Sequence, residues 1–304
     1  MLDNKKCSAK PFLKWAGGKA QLINLISSSL PGYLKTSENL VYVEPFIGSG
    51  ALLFRFLQSY PNTKKAVVND INPDLFNAYN VIKKEPENLI KKLGSIQDKY
   101  FSLKSEMDRK AFFLVQRDKF NARNLNSIQS TTLLIFMNRT CYNGLYRVNS
   151  KGEFNVPFGK YSKPKICDTQ TILCDSQLLQ KVTILNVDYS EVLSHIESPN
   201  AFFYIDPPYK PISQSSSFNA YDKYKFDDTE QERLKDFCVR IGTLGHYWLL
   251  SNSDVKNFDT ENEYFDNLYK DFNIKRVKAT RKINSVSSKR GEIFELLISN
   301  YKVD

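Results

Sequence analysis

The sequence predicts an α/β fold, an open and mostly parallel sheet interrupted by a mainly helical insertion. Three observations carry this expectation. Strand, helix and strand follow one another between residues 40 and 70, the βαβ order of a parallel sheet. Four helix-like stretches then fill residues 73 to 138 with no convincing strand among them. Strand-like segments return from residue 182 onward.

The first strand is Leu40-Val41-Tyr42-Val43-Glu44, ended by Pro45, and the second is Lys65–Asp70. Between them, Ser49–Ser59 places Leu52, Leu53, Phe56 and Leu57 on a helical period. Helices are expected at Pro73–Lys83, Pro86–Tyr100, Asp108–Phe120 and Ser130–Asn138, followed by a Gly- and Asn-rich stretch, Asn143–Gly159. The later strands are Val182–Val187, Ala201–Asp206, His246–Ser251, Asn273–Ala279 and Ile293–Asn300. No helix separates the last two, so they are expected to pair as an antiparallel hairpin. Ser213–Ser217 reads as a mobile loop. No internal repeat is evident.

Composition bounds the function. A chain of 304 residues, 41% hydrophobic, suits a globular core and argues against disorder. No apolar run approaches the roughly 18–20 residues that span a bilayer. Met1–Lys10 is polar, without the apolar centre of a signal peptide, so a cytoplasmic protein is expected. Cys7, Cys141, Cys167, Cys174 and Cys238 form no CxxC pair; reduced thiols are expected, with neither a disulfide framework nor a metal site. Lysine and arginine number 43 against 33 acidic residues, a net charge of +10. Such a surplus favours a polyanionic partner, because each neutralised phosphate releases counterions. The only histidines are His195 and His246, which weakens mechanisms built on a histidine base or metal cluster.

Two segments can carry chemistry. Phe46-Ile47-Gly48-Ser49-Gly50 follows a strand and opens a helix, where glycine permits a tight turn and close approach of a ligand to backbone. Asp70 ends the next strand, placed to bind ribose hydroxyls. Alone, a GxG is equally a plain strand-to-helix turn. Leu53 stands where a dinucleotide fingerprint needs a small residue. S-adenosylmethionine, which has no pyrophosphate, needs no third glycine.

Asp206-Pro207-Pro208-Tyr209 ends the apolar strand Ala201–Ile205, at the carboxyl edge where open α/β sheets bind ligands. An exocyclic amino nitrogen on a purine is a poor nucleophile because its lone pair is delocalised. Two acceptors on its hydrogens, the Asp206 carboxylate and the Pro207 carbonyl, would favour a tetrahedral nitrogen aimed at a methyl donor. Proline, lacking an N–H, offers only the carbonyl and stiffens the turn. Pro208 extends that turn, and Tyr209 would stack on an extruded base. A strand-terminating Pro-Pro turn with a capping aspartate is the plainer alternative.

Six blocks carry a family resemblance: Phe12-Leu13-Lys14-Trp15-Ala16-Gly17-Gly18-Lys19, Val43–Gly50, Asn69-Asp70-Ile71-Asn72, Asn143-Gly144-Leu145-Tyr146-Arg147, Phe154–Gly159 and Asp206–Tyr209. In this order they resemble the Dam-type DNA adenine methyltransferases, which include modification enzymes of GATC-recognising restriction systems. The resemblance covers nearly the whole chain. It implies a Rossmann-like S-adenosylmethionine-dependent methyltransferase sheet formed by 1–72 and 166–304, with a DNA target-recognition insertion at 73–165. It implies S-adenosylmethionine as cofactor, double-stranded DNA as partner and a restriction endonuclease acting on the same site.

The resemblance also implies residue roles. Trp15, Ala16, Gly17 and Lys19 would line the cofactor site, Phe46, Gly48 and Gly50 would wrap the cofactor, and Asp70 would bind its ribose. Asp188 and Tyr189 would touch its adenine, although a helix N-cap also explains Asp188. Asp206 would border cofactor and target alike. Tyr142 would wedge into the base stack, Asn143 and Leu145 would lie against bases, and Arg147 would read a guanine. Pro157 and Tyr161 would flank the groove, and Lys14 would contact DNA beside the target. Lys275–Lys282, with Lys289-Arg290, would track phosphates or form a solvated face.

Three readings stay open beside methylation of DNA adenine. A nicotinamide-dependent oxidoreductase would share the GxG and distant aspartate but give no reason for Asp206–Tyr209. A non-catalytic DNA-binding protein would tolerate loss of Asp206. Methylation of RNA or of a glutamine side chain would not call for Arg147 in a groove.

Overall fold

The computed structural model describes residues 8–15, 22–209, 226–280 and 292–303. Ser213–Ser217, expected as a mobile loop, lies outside the described residues. The chain divides into two compact units. One comprises Met1–Gly18, Gly48–Gln58 and Asp70–Asn186; the other comprises Lys19–Ile47, Ser59–Asn69 and Val187–Asp304.

The strands are β1 (Leu40–Glu44), β2 (Thr63–Asn69), β3 (Val182–Leu185), β4 (Ala201–Ile205), β5 (Tyr247–Ser253), β6 (Asn273–Thr280) and β7 (Glu292–Ser299). They form one seven-stranded sheet in the order β3-β2-β1-β4-β5-β7-β6. β1 runs parallel to β2 and β4, and β4 parallel to β5. All five residues of β1 and of β4 are buried, as befits central parallel strands covered on both faces. β6 and β7 pair antiparallel as expected, with β7 rather than β6 beside β5. β6 is therefore an edge strand, and its Lys275, Arg276 and Lys278 put charge on an edge that would otherwise invite pairing.

The helices of the first unit have legible causes. α1 (Ile23–Ser28) lies in the other unit; α2 (Ala51–Ser59) buries Leu52, Leu53, Phe56 and Leu57, the residues on the expected period. α3 (Pro73–Lys84) starts where the Asn72 side chain accepts from the Asp74 and Leu75 amides, with Pro73 in its first turn. α4 (Pro86–Ser102) buries Leu89, Leu93 and Tyr100. α5 (Glu106–Asn121) and α6 (Ser127–Thr140) both open with capping boxes, Ser105 with Asp108 and Asn126 with Gln129. α6 packs against α3, α4 and α5, so it is buried nearly all round.

Two longer helices were not anticipated from the sequence. α7 (Thr169–Leu179), capped by Asp168, packs on α3 and α4. In the second unit α8 (Asp228–Thr243), capped by Asp227, lays Leu234, Phe237, Cys238 and Ile241 against the sheet at β5, and α9 (Tyr264–Leu268) is a short turn beyond it.

Cys141, Cys167 and Cys238 are free, but Cys174 is disulfide-bonded, which corrects the expectation of reduced thiols throughout. Among the described residues no helix is long and apolar enough to cross a membrane.

Candidate active site and DNA interface

In the second unit the candidate chemistry gathers where the central strands end. β1 and β4 are neighbours, with Val43 opposite Phe203, so Pro45–Ile47 and Asp206–Tyr209 leave the sheet from adjacent strand ends. The Asp206 Oδ1 accepts a hydrogen bond from the Ser251 hydroxyl of β5 at 3.0 Å. Ser251 Oγ also lies 2.9 Å from the Tyr204 hydroxyl. A serine carries one proton, and a carboxylate only accepts, so Tyr204 must donate to Ser251 and Ser251 to Asp206. Burial and the Asp206 charge push the Tyr204 phenol far above its ordinary range, keeping it a protonated donor. Tyr204 and Ser251 are both buried.

Pro207 is buried, Pro208 exposed and Tyr209 half-buried. Tyr209 is fixed at its far end, where its hydroxyl donates to Glu295 Oε2 of β7 at 2.7 Å. On β1, the buried Glu44 accepts from Tyr42 at 2.9 Å. The Asn69 side chain donates to the Pro45 and Val187 carbonyls and accepts from the Val187 amide, binding together the turns after β1 and β3. Sequence reasoning did not find Ser251, Tyr204, Glu295 or this use of Asn69. Each makes its contact far from its partner in sequence.

A second cluster in this unit joins Phe46, Asp188 and Tyr189. The Phe46 ring lies 5.0 Å from Tyr189 and 5.9 Å from Phe226. Asp188 caps the 3-10 turn Tyr189–His195 by accepting from the Ser190 amide, so its N-cap reading holds. It also pairs with Arg233, whose guanidinium lies 4.8 Å from the Tyr189 ring centre. Burial alone would raise the Asp188 carboxyl, but the bonds from Arg233 and Ser190 outweigh it and hold it below the usual carboxylate range.

In the first unit the glycine loop has the geometry its sequence suggests. Gly48 and Gly50 adopt φ of 49° and 69°, in the left-handed region. A Cβ at Gly48 would lie 3.2 Å from the Trp15 indole. Asp70 Oδ2 accepts from the Gly48 amide at 3.0 Å, and its Oδ1 from the Asn72 amide at 2.9 Å. The Tyr79 hydroxyl donates to the Gly48 carbonyl at 3.0 Å. Ala16, Gly17 and Lys19 lie outside the described residues.

The candidate DNA residues of this unit come together on α6 and the segment after it. The buried Asn138 side chain accepts from the Lys14 amide at 2.9 Å and donates to the Lys14 and Gly144 carbonyls at 2.8 Å each. Asn143, at φ 55°, and Gly144, at φ 66°, turn the chain out of the 3-10 turn Tyr142–Gly144. A Cβ on Gly144 would strike the Lys14 side chain at 2.4 Å. The Tyr142 amide donates to the Pro157 carbonyl at 2.8 Å, and Tyr142 is 55% exposed. Bridges between Val148 and Phe154 and between Cys141 and Phe158 make the stretch an irregular hairpin. Arg147 is exposed, its Nε donating to Asn155 Oδ1 at 2.7 Å. Leu145 is half-buried, and Lys14 Nζ sits 5.6 Å from the Tyr161 ring centre.

Within the basic run, Arg276 is paired with Asp254 at 2.7 Å and with both oxygens of Asp266. Arg281, Lys282, Lys289 and Arg290 lie outside the described residues.

A buried parallel sheet with an Asp-Pro-Pro-Tyr turn at the carboxyl end of a central strand is the framework of an α/β methyltransferase. The chain belongs to the D12 class N6 adenine-specific DNA methyltransferases, whose family model matches residues 15–283. It is 46% identical to the type II methyltransferase M.MjaIII of Methanocaldococcus jannaschii, covering 96% of this chain and 99% of that one. It is 36% identical to the type II methyltransferase M1.LlaDCHI of Lactococcus lactis subsp. cremoris, covering 99% of each. A DNA adenine methylase of Vibrio cholerae is 34% identical over 95% of both chains. The protein is thus an enzyme of DNA adenine methylation.

Proposed function

We propose that the enzyme takes its methyl group from S-adenosylmethionine, acts at GATC in double-stranded DNA, and turns the target adenine out of the helix before direct transfer. The observation that carries this reading is the Tyr204–Ser251–Asp206 chain, which fixes a carboxylate on the turn expected to meet the amino group. Asp206 and the Pro207 carbonyl accept from the two amino hydrogens and steer the nitrogen lone pair outward. Tyr209, anchored on Glu295, supports the extruded base, and Pro208 holds the turn.

Residues Trp15, Ala16, Gly17, Lys19, Phe46, Gly48, Gly50, Asp70, Asp188 and Tyr189 take the cofactor, with Asp206 at its methyl end. The loop at Gly48 supports this, since a side chain there would fill the space beside Trp15. When bound, the cofactor supplies a methyl on a positively charged sulfur, open to displacement without a covalent enzyme intermediate.

Residues 73–165 serve target recognition within a catalytic domain of 1–72 and 166–304. Arg147, with its guanidinium oriented by Asn155, reads guanine O6 and N7, which is worth about 1–3 kcal/mol of discrimination. Tyr142 offsets part of the few kcal/mol that unstacking costs. Asn143, Leu145, Pro157, Tyr161 and Lys14 complete the contact. The setting is cytoplasmic, and the relatives named type II methyltransferases support a companion restriction endonuclease. Asp206→Ala tests the central role: S-adenosylhomocysteine binding should persist while transfer to DNA is lost, and retained transfer would refute it.

A further inference from the structure

We infer that Tyr146 is a positioning residue that couples the cofactor-side loop at Gly48 to the base-reading hairpin. The inference rests on the proposed function, which places cofactor beside Gly48 and DNA beside Leu145 and Arg147, the two sequence neighbours of Tyr146.

Two separate connections meet at this tyrosine. The first is polar. The Tyr146 hydroxyl donates to Asp74 Oδ2 at 2.6 Å, and Asp74 is buried in the first turn of α3. That turn is capped by Asn72, whose amide donates to Asp70, and Asp70 in turn holds the Gly48 amide. The second is stacked. The Tyr146 ring lies on the Trp15 indole at 4.8 Å and 26°, and that indole is the group a Cβ at Gly48 would meet. Burial and the Asp74 charge push the Tyr146 phenol upward, so it remains a donor.

The other oxygen of Asp74 reinforces the same link. Asp74 Oδ1 accepts from Arg123 Nη1 at 2.6 Å, and Arg123 also donates to the Gly152 carbonyl in the hairpin turn at 3.3 Å. One buried carboxylate therefore holds the hairpin at its base through Tyr146 and near its tip through Arg123. A ligand that orders the Gly48 loop fixes Trp15 and α3, and through Tyr146 it fixes the segment that carries Leu145 and Arg147. Such coupling is reciprocal: DNA that seats the hairpin must raise cofactor affinity by the same factor.

The test measures binding without turnover. Affinity of the full chain for a GATC duplex is measured with and without saturating S-adenosylhomocysteine, for the unaltered protein and for Y146F, which keeps the stack and loses the hydroxyl. We expect the analogue to tighten the unaltered protein by about tenfold and Y146F by less than about twofold. Thermal denaturation monitors folding, and Asp74→Asn gives the same comparison should Y146F unfold. A ratio preserved in the variant, or a ratio of one in the unaltered protein, overturns the inference. Absence of methyl transfer by the unaltered protein would count against the proposed function instead, and is read in the same preparation.

Discussion

Ser251 on β5 donates to Asp206 beyond the end of β4 at 3.0 Å, and takes its own hydrogen bond from Tyr204. The two hydroxyls leave the carboxylate little freedom to rotate. Hydrogen bonds to a charged acceptor contribute about 1.5–3 kcal/mol. Ser251→Ala should therefore lower the rate of methyl transfer by roughly ten- to a hundredfold. Tyr204→Phe should act in the same direction and less strongly. Single-turnover rates decide the matter: if both variants match the unaltered enzyme, the hydroxyl chain plays no part in orienting Asp206.

Arg147 is presented by Asn155 on an irregular hairpin. Removing it should relax discrimination at one guanine by about 1–3 kcal/mol while leaving the other positions nearly unchanged. The measurement compares transfer rates across duplexes altered one base at a time. A uniform loss of affinity for all of them would assign Arg147 to phosphate binding.

Lys278 lies on the edge strand β6, next to the committed Arg276. Changing Lys278 together with Lys282 to alanine should make the salt dependence of DNA affinity shallower by up to about 2 in log–log slope. Sequence preference should not change. An unaltered slope would rule out a part for these lysines in phosphate binding.

Asp175, on α7, supplies the pH prediction. It is fully buried, accepts from the Lys10 amide at 3.1 Å, and burial pushes its carboxyl up to about 8. In the unfolded chain an aspartate titrates near pH ~3.9. Between about pH 4 and 8 the folded protein thus keeps a proton that the unfolded chain has lost, so this group makes stability fall as pH rises through that window. Above about 8 its contribution is level. Asp175→Asn keeps an acceptor for Lys10 and removes the titration. Its melting temperature should exceed that of the unaltered protein at pH 8 and approach it near pH 4; equal differences at both values would contradict the assignment.

Much of this architecture was legible from local pattern, for physical reasons. β1 and β4 are short apolar runs because both faces are covered, and α3 announces itself through Asn72 and Pro73. The Asp-Pro-Pro-Tyr turn and the glycine loop could be read because each is a contiguous stretch. α8 carried a signal that went unread, with Asp227 capping Glu230 and an apolar stripe at Leu234, Phe237, Cys238 and Ile241. α7 was hidden because its buried positions include Thr171, Asp175 and Ser176, which do not look like a core.

The supports of the site were illegible for a different reason. Ser251 is 45 residues from Asp206, Glu295 is 86 from Tyr209, and Tyr146 is 72 from Asp74. Nothing in a local window marks a serine as the partner of one distant carboxylate. Only strand order and register bring them together. Arg276 shows the converse: within a run of basic residues it looked like the rest, and its partners Asp254 and Asp266 became visible only in three dimensions.

The most direct measurement incubates the enzyme and labelled S-adenosylmethionine with duplexes carrying GATC or single-base variants, then identifies the product base by mass spectrometry. The account predicts N6-methyladenine in the GATC duplex, sharply less in each variant, and none with Asp206→Ala. Label on cytosine, no label on DNA, or unchanged transfer by Asp206→Ala would contradict it.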